Sequence, residues 1–494
     1  MGFRAHRVAP PPPGRIRERT ECRTRFEISE TNTVNGLFTL LRQSDAELQR
    51  SPVSRACDCL NVVRSPSLSP MRLSARLLLI LSVAACAPML PPPEAVLPSA
   101  KPEPQPQPQI QPPRPAPQPT QPVYDQPGFE GWKQGFLNRM GGARRAAYEQ
   151  ALAGLTPDQE VIRLDGNQPE FSRPAGAYVA NAVSASRVAE ARRKVDVVPW
   201  SVTQRFGVPA EILVSIWAQE SSFGQVQGNK DVIRSLATLA YEGRRRDWAE
   251  GQLRDALNIV IDGRRSRAGL TGSWAGAMGQ TQFMPDNYLR LGVDQNDDGK
   301  VDIWGTDVDA LASAANLLAQ AGWKRGQAWG YEVVIPQGFD YSLADGPSRP
   351  WSFWRQQGVT LARGGAMSDA EAAENAVLLL PQGARGPAFI GLPNHFVIRR
   401  YNNSVSYALA IGLTADGVAG KPGLVASWPT DAPMSRDQRI GAQAALTRMG
   451  YDTGGVDGVV GANTRAALKR WQAANGRIAD GYLTAELATE LMSR

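Results

Sequence analysis

The sequence predicts a mainly α (α+β) fold: a large helical domain with a small β element, followed by a separate helical unit at the C-terminus. Three observations carry this reading. Residues 131–140, 175–193, 209–222, 248–261, 309–321 and 368–379 have the character of helices. Ala388-Phe-Ile-Gly-Leu392, together with Phe396-Val-Ile398, is more strand-like. Composition then shifts at Trp428-Pro-Thr-Asp-Ala-Pro433, and a small unit runs from about Ser435 to Arg494.

Before the first helix the chain reads differently. Residues 1–70 lack clear periodicity and precede a better start at Met71, so they are read as a non-native or disordered extension. Met71-Arg-Leu-Ser-Ala-Arg76 supplies a basic stretch, and Leu77 to Ala85 an apolar run ending in small residues. Residues 71–85 therefore read as a secretory signal, too short to span a bilayer permanently. Val83-Ala84-Ala85-Cys86 resembles the bacterial lipobox, in which the cysteine is lipidated and becomes the new N-terminus. With Ala87 next, the resemblance implies a lipoprotein on the outer membrane of a Gram-negative bacterium. The plain alternative is an ordinary cleaved signal with a spare cysteine. Residues 86–128 hold sixteen prolines among glutamines, a stiff tether that reaches on the order of 100 Å at roughly 3.1 Å per residue. The first globular domain then spans 129–425.

Charge and rare residues exclude several functions. Of the formal +7, the leader accounts for +6, since residues 1–85 contain thirteen Arg and seven acidic residues. What remains is no footprint for nucleic acid. With Cys86 acylated, the remaining chain has no thiol and one histidine, His395. Thiol catalysis, a zinc site and a Ser-His-Asp triad then have almost no parts. By elimination, catalysis here is carboxylate chemistry.

Glu220 is the candidate. Pro209-Ala-Glu-Ile-Leu-Val-Ser-Ile-Trp-Ala-Gln-Glu-Ser-Ser-Phe-Gly224 reads as one helix, with Pro209 in its first turn, Glu211 at its positive end and Gly224 as its stop. Ile212, Leu213, Ile216 and Trp217 define its buried stripe, and Glu220 falls on that stripe. Partial desolvation raises a carboxyl pKa and keeps it protonated as a general acid. On the helix alone, a glutamate whose carboxylate swings into solvent is the plainer reading. A second segment, Gly272-Ser-Trp-Ala-Gly-Ala-Met-Gly-Gln-Thr-Gln-Phe-Met-Pro285, has glycines that permit close backbone approach. Its Ser273, Gln280 and Gln282 offer uncharged donors and acceptors suited to sugar hydroxyls and acetamides. A tightly packed Gly-rich turn is the bland alternative.

Taken with Trp217-Ala-Gln-Glu-Ser-Ser-Phe-Gly224, this segment resembles the membrane-bound lytic murein transglycosylase B family. Gln168-Pro-Glu-Phe171, Leu236-Ala-Thr-Leu-Ala-Tyr241, Asp309-Ala-Leu-Ala-Ser-Ala-Ala-Asn316 and Arg400-Tyr-Asn-Asn-Ser404 extend the likeness over about residues 129–425. The resemblance implies a lysozyme-like fold with a cleft. It implies Glu220 as the single catalytic acid/base, with Ser273 and Gln282 contacting substrate near it and Tyr401 and Asn402 facing the same cleft; Gln280 is added as a candidate contact from its residue type. This chain departs from commoner versions in reading Ala-Gln before the glutamate and Ser-Ser after it.

Asp294-Gln-Asn-Asp-Asp-Gly-Lys-Val-Asp302 fits a calcium loop at Asp294, Asn296, Asp298 and Gly299, with Asp302 at its ninth position. Its twelfth position is Gly305, so the usual bidentate ligand is missing. The resemblance implies that Asp309 closes such a site; a metal-free Asp/Asn/Gly turn is the other reading. No cofactor is otherwise expected.

The C-terminal unit, residues 435–494, resembles the type 1 peptidoglycan-binding domain, a bundle of three helices. The likeness rests on Gln438-Arg-Ile-Gly-Ala-Gln-Ala-Ala-Leu446, Val456-Asp-Gly-Val-Val-Gly461, Thr464-Arg-Ala-Ala-Leu-Lys-Arg-Trp-Gln472 and Ala479-Asp-Gly481. The expected function is a periplasmic, lipid-anchored lytic transglycosylase with peptidoglycan strands as its partner. It would cleave the MurNAc-GlcNAc β-1,4 bond and leave 1,6-anhydroMurNAc ends. A catalytically silent murein-binding scaffold and a hydrolytic muramidase are the alternatives. Of the twelve tryptophans, only Trp217 and Trp274 lie beside these motifs, and most are read as core or cleft wall.

Overall fold

The helix Gln126–Met140 begins where Asp125 caps it, its carboxylate accepting the Gly128 N–H at 2.9 Å with Pro127 in the first turn. The computed structural model describes residues 125–166 and 173–494. The expected leader, the signal, Cys86, most of the proline-rich tether and the Gln168–Phe171 motif lie outside the described residues. Phe129, Trp132, Phe136 and Leu137 turn inward from this first helix and join the main core.

The centre of the domain is the helix Ala210–Ser221. Ile212 to Ala218 are buried without a break, so this helix runs through the interior rather than along the surface. Ala185–Lys194, Asp307–Gln320 and Val405–Val418 pack around it. Val232–Glu242 and Arg246–Ile261 form a further helix pair. Among the described residues no helix is long and apolar enough to cross a membrane.

Five short antiparallel strands form the β element. Their order is Arg349–Pro350, Asn375–Leu379, Ala388–Gly391, Gly330–Val334 and Thr360–Leu361. Alternation splits the residues of the middle strands between two cores. Val377, Leu379 and Phe389 join the main helical core, whereas Leu378 and Ile390 join a second core with Trp351 and Trp354. Trp329, just before the sheet, lies against Gly412 of the helix Val405–Val418. A Cβ there would come within 2.3 Å of the indole, so only glycine allows the approach.

The structure corrects several expected elements. The stretch 175–193 is two helices, Ala175–Ala182 and Ala185–Lys194. Ser184 breaks it by accepting the Arg187 N–H, and so caps the second helix. Pro209 is the cap before Ala210–Ser221 rather than its first residue. The stretch 368–379 is helical only over Asp369–Ala372. Its Glu371 turns inward to accept from the Ala328 N–H and the Tyr331 hydroxyl, and Asn375–Leu379 then pairs as a strand. Ala388–Gly391 is a strand, but Phe396-Val-Ile398 belongs to the helix Pro393–Tyr401, started by Pro393.

The C-terminal unit has three helices, Arg436–Arg448, Ala462–Ala474 and Ala485–Met492, around Leu446, Leu468, Trp471 and Leu491. Two glutamines bracket its Asp-Gly turns in the same way. Gln443 accepts the Gly458 N–H and donates to Asp457, while Gln472 accepts the Gly481 N–H and donates to Asp480. The composition shift at 428–433 is a pinned strap. Trp428 stacks on Phe389 with centroids 6.1 Å apart, and Asp431 accepts from Gln382, Arg385 and Tyr482.

Candidate active site

Glu220 is the penultimate residue of the central helix, at the end where burial stops. The chain leaves this end through three successive left-handed residues, Ser222 (φ 50°), Phe223 (φ 62°) and Gly224 (φ 81°). Two of them carry side chains, so surrounding contacts must hold the turn. Ser221 supplies them: its hydroxyl donates to the Gln280 carbonyl at 2.5 Å and accepts the Gly224 N–H at 2.8 Å. The helix stop expected at Gly224 therefore falls two residues earlier.

The side chain of Glu220 is half-buried. Desolvation by the surrounding walls raises its pKa to about 7, against the opposing pull of a hydrogen bond from Tyr407. That bond runs from the Tyr407 hydroxyl to Glu220 Oε1 at 2.6 Å. Burial, and next the Glu220 carboxylate, hold the Tyr407 phenol well above its ordinary pKa, so it stays a donor. Tyr407 sits on the buried face of the helix Val405–Val418, three residues after its cap Ser404. Sequence reasoning missed it. The available signal was a tyrosine at the head of the apolar run Tyr407-Ala-Leu-Ala-Ile411, whose hydroxyl needs a partner when buried.

The Gly-rich segment is bolted to the central helix through Gln280. Its Oε1 accepts from Trp217 Nε1 at 2.8 Å, its Nε2 donates to Asp307 at 2.8 Å, and its backbone N–H donates to the Ile303 carbonyl. Gln280 is buried with both ends of its amide engaged inside the protein, so the structure places it behind the site rather than against a ligand. Gly224 and Gly279 make this approach possible. A Cβ on the first would lie 2.4 Å from Gln280 Oε1, and one on the second 2.6 Å from the Ile303 carbonyl.

The other expected contacts fall around this frame. Ser273 accepts the Ala277 N–H at 3.0 Å and keeps its own hydroxyl proton to donate. Gln282 adopts φ 51° and spends its amide N–H groups on the Gln227 and Gly279 carbonyls. Tyr401 donates to the Thr281 carbonyl at 2.6 Å, tying the end of its helix to the Gly-rich segment. Asn402 ends that helix and is half-buried. Trp217 is core, packed edge-on against Phe223. Beyond the helix end, a pocket of about 410 Å³ opens between Gly224, Gln227 and Gly228 on one side and Arg265, Thr271 and Trp304 on the other.

The expected calcium ligands do not converge. Asp294 accepts the Asp298 and Gly299 N–H groups, and Asp298 accepts from Lys300 N–H and the Asn296 amide. Asp302 accepts the Trp304 and Gly305 N–H groups and pairs with Arg265 at 3.2 Å. Asp309 is fully buried, each oxygen taken by a backbone N–H, from Gln295 and from Asp302. Among the described residues no group of three or more His, Cys, Asp or Glu is set to hold a metal ion. As arranged, these carboxylates accept the loop's own backbone N–H groups.

Comparison with known proteins adds to this geometry. Residues 128–416 match the family described as transglycosylase SLT domain, and residues 435–491 match a peptidoglycan binding domain family. The structure of SltB3 from Pseudomonas aeruginosa in complex with NAG-anhNAM-pentapeptide is 46% identical, with a TM-score of 0.69 over 74% of this chain and 99% of that one. Membrane-bound lytic murein transglycosylase B of Escherichia coli is 34% identical over 217 residues, which is 44% of this chain. The match spans 58% of that protein's length. The Escherichia coli lytic transglycosylase Slt35 in complex with calcium is 29% identical, with a TM-score of 0.50 over 59% of this chain and 93% of that one. Fold and site together define a lysozyme-like domain with a half-buried glutamate near the end of its central helix, joined to a small three-helix module. The chain belongs to the transglycosylase SLT domain family.

Proposed function

We propose that this protein is a lytic transglycosylase of peptidoglycan, with Glu220 as its one acid/base. The carrying observation is the Glu220 carboxyl itself, desolvated to a pKa of about 7 and held by Tyr407 at 2.6 Å. A group poised there changes protonation state readily near neutral pH. Protonated Glu220 gives its proton to the glycosidic oxygen between N-acetylmuramic acid and N-acetylglucosamine as the C1–O bond breaks. The muramoyl C6 hydroxyl then attacks C1, and the Glu220 carboxylate takes the C6 hydroxyl proton. Glu220 ends as it began, no water is consumed, and the product carries a 1,6-anhydromuramoyl end.

The relative crystallised in complex with NAG-anhNAM-pentapeptide holds a ligand with an anhydro-muramoyl end, which supports that product for this chain. Ser273 and Asn402 are read as substrate contacts. Tyr401, Gln280 and Gln282 are read as the frame that sets the wall of the cleft. The loop 294–309 enters as a fold element, and no step passes through a metal.

The setting we propose is the periplasm, with the chain anchored by lipid at Cys86 and with its C-terminal module bound to the wall. Glycosidases that use water employ a pair of carboxylates. A hydrolase of that kind and a transglycosylase differ in the end they leave, so the product decides between them. Mass spectrometry of digested sacculi tests the reading. Anhydromuramoyl ends support it, reducing ends convert it to a hydrolase, and no soluble fragments convert it to a binder. An acylated N-terminal Cys86 in the mature protein is the matching test of the anchor.

A further inference from the structure

The C-terminal module builds one arrangement twice. Arg436, Ile440 and Gln443 stand on its first helix, and Arg465, Lys469 and Gln472 repeat their spacing on its second. Each glutamine holds an Asp-Gly turn, and each turn aspartate accepts on Oδ1 from that glutamine and from the N–H two residues on, of Val459 or of Tyr482. Each turn glycine rests on its own helix. A Cβ on Gly458 would meet Arg436 and Ile440 at 3.1 and 3.2 Å, and one on Gly481 would meet the Arg465 carbonyl and Lys469 at 2.9 Å.

The two copies differ in what covers them. The second is occupied by the larger domain: Asp480 Oδ2 accepts the Ala384 N–H at 2.9 Å, Arg465 pairs with the Asp345 carboxylate at 2.5 Å, and Lys469 donates to the Ala344 carbonyl. Gly383, just before that N–H, has a left-handed backbone at φ 65°, and a Cβ there would lie 2.4 Å from Asp480 Oδ2. In the first copy Asp457 receives its bonds on Oδ1 and on its backbone carbonyl, the latter from Arg436. Among the described residues nothing donates to Asp457 Oδ2, and no carboxylate pairs with Arg436. Both residues are exposed, and Val456, next to Asp457 in the chain, is 46% exposed.

We infer that this open copy is the wall-binding face of the module, and that it takes the peptide stem of peptidoglycan, with a stem N–H on Asp457 Oδ2 and a stem carboxylate on Arg436. The inference rests on the proposed reading of the module as a wall binder. The occupied copy displays the chemistry that the arrangement accepts, a peptide N–H together with a carboxylate, and the stem carries both. The stem also contains D-residues. For them the left-handed backbone that Gly383 adopts is the ordinary one, by mirror symmetry with L-residues. Ile440 and Val459, half-buried, and the exposed Val456 supply apolar surface for alanine methyl groups.

The test uses the full chain carrying Glu220→Gln, so that sacculi are bound and not digested. Cosedimentation with intact sacculi reads the affinity, with free pentapeptide stem as competitor, and the stem is expected to displace the protein. Asp457→Asn keeps an oxygen for the turn and removes the second acceptor, while Arg436→Gln removes the charge. Each is expected to weaken binding about tenfold, as fits the loss of one hydrogen bond to a charged group. Arg470→Gln takes the same charge from elsewhere on the module and is expected to leave binding unchanged. Sacculi freed of stems by an amidase should hold the chain with an intact module no better than they hold the Asp457 and Arg436 variants.

Unchanged binding in both variants, or full binding to stem-free sacculi, overturns the assignment of this face. Competition by free stem needs no substitution in the module, so it decides the matter even where a variant misfolds, and failure to displace the protein overturns the proposal. A chain with an intact module that does not sediment with intact sacculi at all overturns wall binding itself, a result distinct from the other two.

Discussion

Tyr407 donates a 2.6 Å hydrogen bond to Glu220 from a different helix, 187 positions further along the chain. The bond favours the carboxylate, while burial favours the acid, and burial wins. Replacing the carboxyl by an amide of the same shape separates chemistry from folding. Glu220→Gln should abolish release of anhydromuramoyl fragments and leave the circular dichroism spectrum unchanged. Retained turnover of sacculi would remove Glu220 from its role.

The same raised pKa makes stability depend on pH with a definite sign. A folded-state pKa of about 7 against an ordinary 4.5 means the native state binds the extra proton between those values. This group's contribution to stability therefore falls as pH rises from about 4.5 to 7. At alkaline pH the charged carboxylate costs at most about 3 kcal/mol. Glu220→Gln should thus melt higher than wild type at pH 8 and much like it at pH 4. A thermal series across that range checks the crossing, and an equal difference at both ends counts against it.

Activity should follow the acid form. A general acid must be protonated on the free enzyme, so kcat/KM is expected to fall as pH rises through about 7. Tyr407→Phe removes the bond that favours the carboxylate. It should shift this limb to higher pH while lowering kcat about tenfold or more. A limb that stays in place would separate Tyr407 from the titrating group.

Much of this site was legible in the sequence, and the remainder was hidden for identifiable reasons. Glu220 showed itself as a carboxylate on an apolar stripe, and the glycines at 224 and 279 showed that backbones approach closely there. Gln280 looked like a sugar contact because its type suits one. Only the fold reveals that Trp217 and Asp307 already occupy its amide. Tyr407 reaches the site from a helix remote in sequence, and local periodicity carries no information about such partners. The misread elements have the same origin. Asn375–Leu379 looked helical in its own window, and pairing with Ala388–Gly391 made it a strand. Asp302 and Asp309 fitted a ligand pattern, and only the fold shows that they also serve Arg265 and backbone N–H groups.

Gly224 joins backbone strain to the Gln280 bolt. It sits at φ 81°, and a Cβ there would lie 2.4 Å from Gln280 Oε1, where Trp217 Nε1 is bound. Gly224→Ala should destabilise the protein by about 1–3 kcal/mol, from the left-handed backbone and the displaced glutamine. Activity should fall further than stability at a temperature where the variant remains folded. Thermal unfolding paired with a sacculus digestion measures both, and a variant matching wild type in both would remove the bolt from the argument.

Asp309 tests whether the 294–309 loop is a fold element. Its two oxygens satisfy the Gln295 and Asp302 N–H groups from a fully buried position. Asp309→Ala leaves both donors without that partner and should cost about 2–4 kcal/mol. Hydrogen exchange should speed up at residues 295–302 before the rest of the domain. Unchanged protection across the loop would show that Asp309 does not hold it.

Asp431 governs how the C-terminal module is held. Burial pushes its carboxyl pKa up, but hydrogen bonds from Gln382, Arg385 and Tyr482 outweigh it and hold the group below its usual range. Gln382 and Arg385 belong to the catalytic domain and Tyr482 to the module, so one carboxylate joins strap, domain and module. Gln382 also accepts the Gly176 N–H at 2.6 Å, at the start of the helix Ala175–Ala182. Removing the carboxylate should release the strap without unfolding either core, because neither the main cluster nor the Trp471 cluster includes Asp431. Asp431→Ala is therefore expected to be cut by protease within residues 426–435 several times faster than wild type, with both fragments remaining folded. Cutting at the wild-type rate would mean that the ion pair of Arg465 with Asp345 at 2.5 Å suffices to hold the module.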